Sequence, residues 1–133
     1  MELSVPASPA HLADLRRSVR AGLQGVIPDR DLEDILLAVN EAATNAMLYG
    51  SGGGQPVEVM VRVQGGWAEV TVLDRGDARR GGHGDDNQDP DAPRHGGRGL
   101  WLMGRLVDEM RLERVERGTR ITLRRRVATR GGR

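Results

Sequence analysis

Residues 29–50 read DRDLEDILLAVNEAATNAMLYG, and this stretch decides the fold. It opens with acids that suit a helix N-terminus, carries apolar residues throughout, and reaches a glycine at position 50 in the C-cap position. The pattern predicts one long helix packed on a core. Within it Glu41 and Asn45 stand four apart and share one helix face. Ala38, Val39, Ala42, Ala46 and Leu48 surround them, so a carboxylate and an amide here need partners that a metal, water or ligand can supply. Read alone, the pair fits a solvated helix edge equally well.

Downstream, Val57, Val59, Val61 and Val63 alternate with Glu58, Met60 and Arg62, as a half-buried strand should. Gln64-Gly65-Gly66 turns the chain, and Ala68, Val70 and Val72 alternate again, which predicts a β-hairpin with one face on the core. Upstream, Ser8-Pro9 reads as an N-cap and first-turn proline, with Leu12, Leu15, Val19 and Leu23 at helical spacing, so a first helix is expected over about 9–24. Leu3 and Val5 alternate ahead of Pro6, as in a short strand at a sheet edge. After the hairpin, residues 74–97 read DRGDARRGGHGDDNQDPDAPRHGG, polar and without apolar periodicity. A loop of that length inside a compact domain is functional or disordered. Helical spacing resumes at Leu100, Met103, Leu106 and Val107; Leu112 and the Ile121–Leu123 pair then predict two closing strands about Arg117-Gly118.

Composition narrows the chemistry. A chain of 133 residues with net charge +1 fits one domain and shows no strong bias toward nucleic acid. There is no Cys, which excludes disulfides, thiolate nucleophiles and Cys-ligated zinc. There is also no Lys, which removes Schiff-base chemistry and the P-loop lysine together, so any phosphate must be held by Arg, backbone amides and metal. No apolar run approaches a membrane span and the N-terminus lacks a secretory layout, so a cytoplasmic location is expected. Nucleic-acid binding through Arg124, Arg125, Arg126, Arg130 and Arg133 is not expected, because terminal charge runs are usually solvated and aromatics make up only 2%.

Four short motifs bear on chemistry. The first is Glu41 with Asn45. In Asp74-Arg75-Gly76, directly after a predicted strand, a carboxylate can accept from an exocyclic amine while Gly76 permits close approach of a flat ring. Gly96-Gly97-Arg98-Gly99 leads into a helix expected to start near Leu100, which aims unpaired amides at an anion and adds a planar cation. Gly118-Thr119 offers a hydroxyl, or is merely a hairpin turn.

In order and spacing these pieces, EAATN, DRG, GGRGLWLM and GT, resemble the N, G1, G2 and G3 boxes of the GHKL ATPases over about residues 32–123. The short chain and the GRGLWLM turn look like the bacterial anti-sigma-factor serine kinases. The resemblance implies an α/β (α+β) two-layer sandwich of the Bergerat type, with helices on one face of a mixed, mainly antiparallel sheet. A single domain over 1–127, an ATP lid over about 77–96 and a disordered basic tail over 128–133 are expected. The resemblance makes Glu41 the general base, Asn45 the Mg2+ ligand, Asp74 the adenine-amine acceptor and Gly76 the close-approach glycine. Gly97, Arg98, Gly99 and Leu100 would then form the phosphate turn, with Thr119 on the adenine side. Tyr49 stands where the family often has His, and His95 beside Arg94 where its kinases often place a basic residue.

The implied activity is transfer of the ATP γ-phosphate to Ser or Thr of an anti-anti-sigma (STAS-type) protein, together with sequestration of a sigma factor. The implied cofactors are ATP and Mg2+, and a homodimer is possible. The rival is a non-catalytic module that binds ATP only to order its lid and select a protein partner.

Overall fold

The computed structural model describes residues 1–50, 55–75 and 95–128, with side chains described over 1–48, 55–75 and 100–128. Chain order is β1 (Glu2–Val5), a 3-10 turn (Pro9–His11), α1 (Leu12–Leu23), α2 (Asp29–Asn45), a π turn (Ala46–Gly50), β2 (Val57–Gln64), β3 (Trp67–Asp74), α3 (His95–Leu106), β4 (Glu109–Val115) and β5 (Gly118–Arg126). Ser8 caps the 3-10 turn from an extended backbone and Pro9 opens it, as the Ser-Pro pair predicts.

The five strands form one sheet in the order β1-β2-β3-β5-β4. Every pairing among them is antiparallel, in keeping with the mainly antiparallel sheet expected. Alternating side chains reveal which face is buried but not which way a neighbour runs, so periodicity could not decide direction. The β2–β3 hairpin turns through Gly65 and Gly66, both at positive φ (59° and 84°), where a two-residue turn matches the strand twist. β1 lies at one edge, where Pro6 ends it without breaking a ladder.

Period-2 alternation splits the sheet into two unlike faces. Val57, Val59 and Val61 of β2, Ala68, Val70 and Val72 of β3, and Ile121 and Leu123 of β5 are buried. They meet Leu15, Val19 and Leu23 of α1, Leu32, Ile35, Leu36 and Val39 of α2, and Met103 of α3 in one core. Ala38, Ala42 and Ala43, all fully buried, let α2 approach its neighbours closely. The other face carries paired charges: Arg75–Glu58 (3.0 Å), Arg62–Glu69 (3.0 Å), Arg120–Glu113 (2.9 Å) and Arg124–Glu109 (2.7 Å). Helices on one face and solvated charge on the other make an α+β two-layer sandwich.

Arg125 lies on the helix side. Arg125 donates to Asp31 (2.8 Å), pairs with Asp34 (3.0 Å) and donates to the Leu106 carbonyl (2.6 Å), with only 18% of its side chain exposed. This ties β5 to the first turns of α2 and the last turn of α3. Val127 follows into the core and its amide bonds the Gly66 carbonyl at 2.8 Å, while residues 129–133 of the expected tail lie outside the described residues.

Removing a half-buried hub cation strands two carboxylates and a carbonyl. Arg125→Ala should therefore lose about 2 to 3 kcal/mol in urea unfolding, whereas Arg62→Ala on the solvated face should lose less than about 0.5 kcal/mol. Equal losses from the two would show that the Arg125 junction carries no special weight.

Candidate nucleotide site

Asp74 is the only charged or polar side chain among the described residues that is buried, at 7% exposure. It ends β3 on the helix-facing side, in phase with Val70 and Val72. A carboxylate placed there loses much of its hydration and needs donors to hold it. It already interacts within the chain, so position and burial mark it, not vacancy. Directly across the β3–β5 ladder stands Thr119, which therefore shares its face.

Gly118 makes that juxtaposition possible. Its φ of 116° lies where side chains are rarely tolerated, and a Cβ there would collide with the Asp74 carbonyl oxygen and crowd Arg75 Cα at 2.9 Å. The sequence reading places Gly118 in the GT motif or a hairpin turn and assigns it no close approach to Asp74. The available signal was its place before Thr119, one register step from the end of the strand that carries Asp74.

Glu41 and Asn45 reach the same end of the molecule through α2. Asp31, Asp34, Ala38, Glu41 and Asn45 follow a 3-4-3-4 spacing and form one stripe along that helix. Arg125 holds the stripe at Asp31 and Asp34. From Asp31 to Asn45 the helix rises about 21 Å, and from Arg125 back to Thr119 the strand runs about 20 Å. The π turn after Asn45 packs against β3 and β5, and Asn45, Asp74 and Thr119 each lie toward the end of their element away from Arg125.

Glu41 and Asn45 are both half-buried, and among the described residues neither makes a side-chain hydrogen bond or ion pair. Their neighbours behave differently. Asn40 accepts from Arg16 at 2.7 Å and the Thr44 hydroxyl donates to the Asn40 carbonyl at 2.6 Å. Among the described residues the amide and carboxylate of the stripe thus lack the side-chain partners that the adjacent polar groups have.

The expected helix from 29 to 50 is α-helical only through Asn45 and finishes as the π turn Ala46–Gly50. Such wider turns recur at functional positions. This one buries Met47 and leaves Leu48 exposed.

α3 begins at His95, not near Leu100 as the apolar spacing indicates. Residues His95 to Gly99 carry no apolar side chain, so periodicity cannot register them as helix, yet their backbone forms the first turns. Gly97, Arg98 and Gly99 therefore supply helical backbone near an N-terminus whose first amides lack helical partners. Because the α3 C-terminus meets the α2 N-terminus at Arg125 and the two helices pack together, the α3 N-terminus comes toward Asn45. Leu100 is half-buried against the core. Gly76 and residues 77–94 of the expected lid lie outside the described residues.

The described residues contain no group of three or more His, Cys, Asp or Glu able to hold a metal.

A family model described as the histidine kinase-like ATPase domain matches residues 5–125. The chain belongs to that family. As a histidine kinase-like ATPase domain it is a nucleotide-binding protein whose nucleotide is ATP. It is similar to the serine-protein kinase RsbW of Bacillus velezensis, 33% identical over 124 residues, spanning 85% of this chain and 77% of that protein. The same identity and shares hold for RsbW of Bacillus subtilis. Its counterpart in Bacillus licheniformis is 31% identical over 134 residues, 92% of this chain and 82% of the relative. The fold also matches the crystal structure of the RsbU and RsbW domains of a Mycobacterium tuberculosis protein, with a TM-score of 0.73 at 23% identity, covering 98% of this chain and 32% of that one. A histidine kinase domain from Erythrobacter litoralis follows at 0.60 and 22%, covering 92% and 61%.

Gly118→Ala should cost at least about 2 kcal/mol, from both the disfavoured φ and the collision with β3. ATP affinity should fall with it, because β3 and β5 must separate where Asp74 and Thr119 sit. Thermal unfolding and calorimetric titration with ATP check the two effects; an unaltered variant would show that the close approach is dispensable.

Proposed function

We propose that this protein is a serine/threonine kinase that transfers the γ-phosphate of ATP to an anti-anti-sigma (STAS-type) partner and also sequesters a sigma factor, within the cytoplasm. The single observation that carries the reading is the buried Asp74 facing Thr119 across the ladder, at the same end as the half-buried pair Glu41 and Asn45. Relatives at 31–33% identity over most of the chain are serine-protein kinases, which favours catalysis over ATP binding alone.

Each residue does what its position allows. Asp74 accepts a hydrogen bond from the adenine amine, Thr119 lies beside it on the adenine side, and Gly76 permits close approach of the ring. Free amides at the start of α3, ending at Gly97, cradle the phosphates; Arg98, Gly99 and Leu100 continue that turn, and Arg98 adds a planar cation. This arrangement answers the absence of Lys.

Asn45, half-buried and without a side-chain hydrogen bond among the described residues, would offer its amide oxygen to Mg2+ from the protein side. When bound, the ion neutralises phosphate charge. In the transfer, the partner's hydroxyl oxygen bonds to the γ-phosphorus as the bond to the β–γ bridging oxygen breaks, ADP leaves, and the hydroxyl proton passes to the Glu41 carboxylate. Glu41 also orients that hydroxyl. Residues 77–96 act as the lid.

Glu41→Ala should keep ATP affinity within about threefold and lose phosphoryl transfer by about 100-fold or more, because a general base contributes little to holding the triphosphate. Asn45→Ala should lose both, and Asp74→Ala should lose preference for ATP over GTP. Calorimetric titration and a phosphotransfer assay with the cognate partner measure these. A parent that binds a partner in an ATP-dependent way yet transfers no phosphate would replace the kinase reading with that of a binding module.

A further inference from the structure

The residue row that holds Asp74 and Thr119 does not stop at Thr119. Its next member, on edge strand β4, is Arg114, directly opposite Thr119 in the β4–β5 register. Cross-strand partners share a face with Cβ atoms about 5 Å apart, so Arg114, Thr119 and Asp74 form one line on the helix-facing side.

Arg114 is also set apart by what it lacks. The other arginines of β4 and β5 are all engaged. Arg111 and Arg120 pair with Glu113, Arg124 with Glu109, and Arg125 with Asp31 and Asp34, while Arg126 lies 4.8 Å from the Trp67 ring centroid. Among the described residues Arg114 has no carboxylate and no ring. Glu113, its chain neighbour, points to the opposite face, where it already serves two guanidiniums. An exposed cation left over on the one row that leads to a buried carboxylate has a use there.

Resting on the nucleotide reading above, the geometry points to Arg114 as a base-contacting residue. Its planar guanidinium lies against the adenine ring from the outer rim of the pocket, while Asp74 and Thr119 meet the ring's edge. The contact joins a cation to a π face, which a guanidinium makes better than an ammonium because it is flat and weakly hydrated. Since Arg114 sits on the adenine side, two strands from the end of β3, its partner is the base and not the phosphates.

The test is calorimetric titration of the full chain with adenosine, ADP and ATP, for the parent, Arg114→Ala and Arg114→Lys. Arg114 is exposed, so unchanged unfolding temperatures are expected in both variants. Arg114→Ala should weaken all three ligands by the same factor, about five- to tenfold, and Arg114→Lys should recover little, having the charge without the plane. Undiminished adenosine binding in Arg114→Ala overturns the inference. So does a loss confined to ADP and ATP and restored by Lys, which would make Arg114 a phosphate or long-range electrostatic group. A parent that binds no ATP sinks the nucleotide reading itself, a result distinct from either.

Discussion

The contact of Arg125 with Asp31, Asp34 and the Leu106 carbonyl is the constraint on which the rest of the architecture depends. Apolar packing holds the layers together but is non-directional and tolerates rotation of a helix about its axis. Directional bonds do not. Asp31 and Asp34 belong to the same stripe of α2 as Glu41 and Asn45, so clamping the first pair sets the rotation of the second. A turn of one residue, roughly 100° about the axis, would carry both candidate site groups away from the end of β3. A planar guanidinium can serve three acceptors from two helices at once, and an ammonium in its place would lack the fixed fork.

Much of this was legible in the sequence where one physical pattern dominates. Alternating valines marked the β2–β3 hairpin, and Ser8-Pro9 marked the entry to the first helix. Other parts were hidden for identifiable reasons. Arg124, Arg125 and Arg126 read as a basic run, yet alternation sends Arg124 and Arg126 to Trp67 on the open face and Arg125 beneath the helices. Charge runs look alike until the strand phase is known. The start of α3 was missed because glycines carry no periodic signal. In the candidate site the residue types were visible one motif at a time. What the sequence could not show is that Thr119 stands opposite Asp74, a consequence of ladder register and of a glycine with no Cβ to keep the strands apart.

The two sheet faces divide the labour of stability and selectivity. The open face is laced with exposed Arg–Glu pairs, each of small net worth in water, so it contributes solubility and strand register more than free energy. The helix face supplies the core, and at its far end the only buried carboxylate among the described residues. A buried charge is tolerable only where the surroundings hold it in a fixed setting. That requirement falls on the backbone of β5, which at Gly118 leaves no room for a Cβ beside the Asp74 carbonyl.

The absence of lysine joins these threads. A lysine can swing over several ångströms to meet a phosphate, and so forgives small errors in the placement of its backbone. Backbone amides at a helix start have no such reach; they bind an anion only if the helix itself is correctly placed. In the proposed site that helix is α3, whose opposite end is fixed by the bond from Arg125 to the Leu106 carbonyl. A phosphate site made of amides is therefore coupled, through the rigid length of one helix, to an ion-pair junction about 17 Å away. The same arginine that orders the fold is thus the one on which the geometry of the proposed anion site would depend.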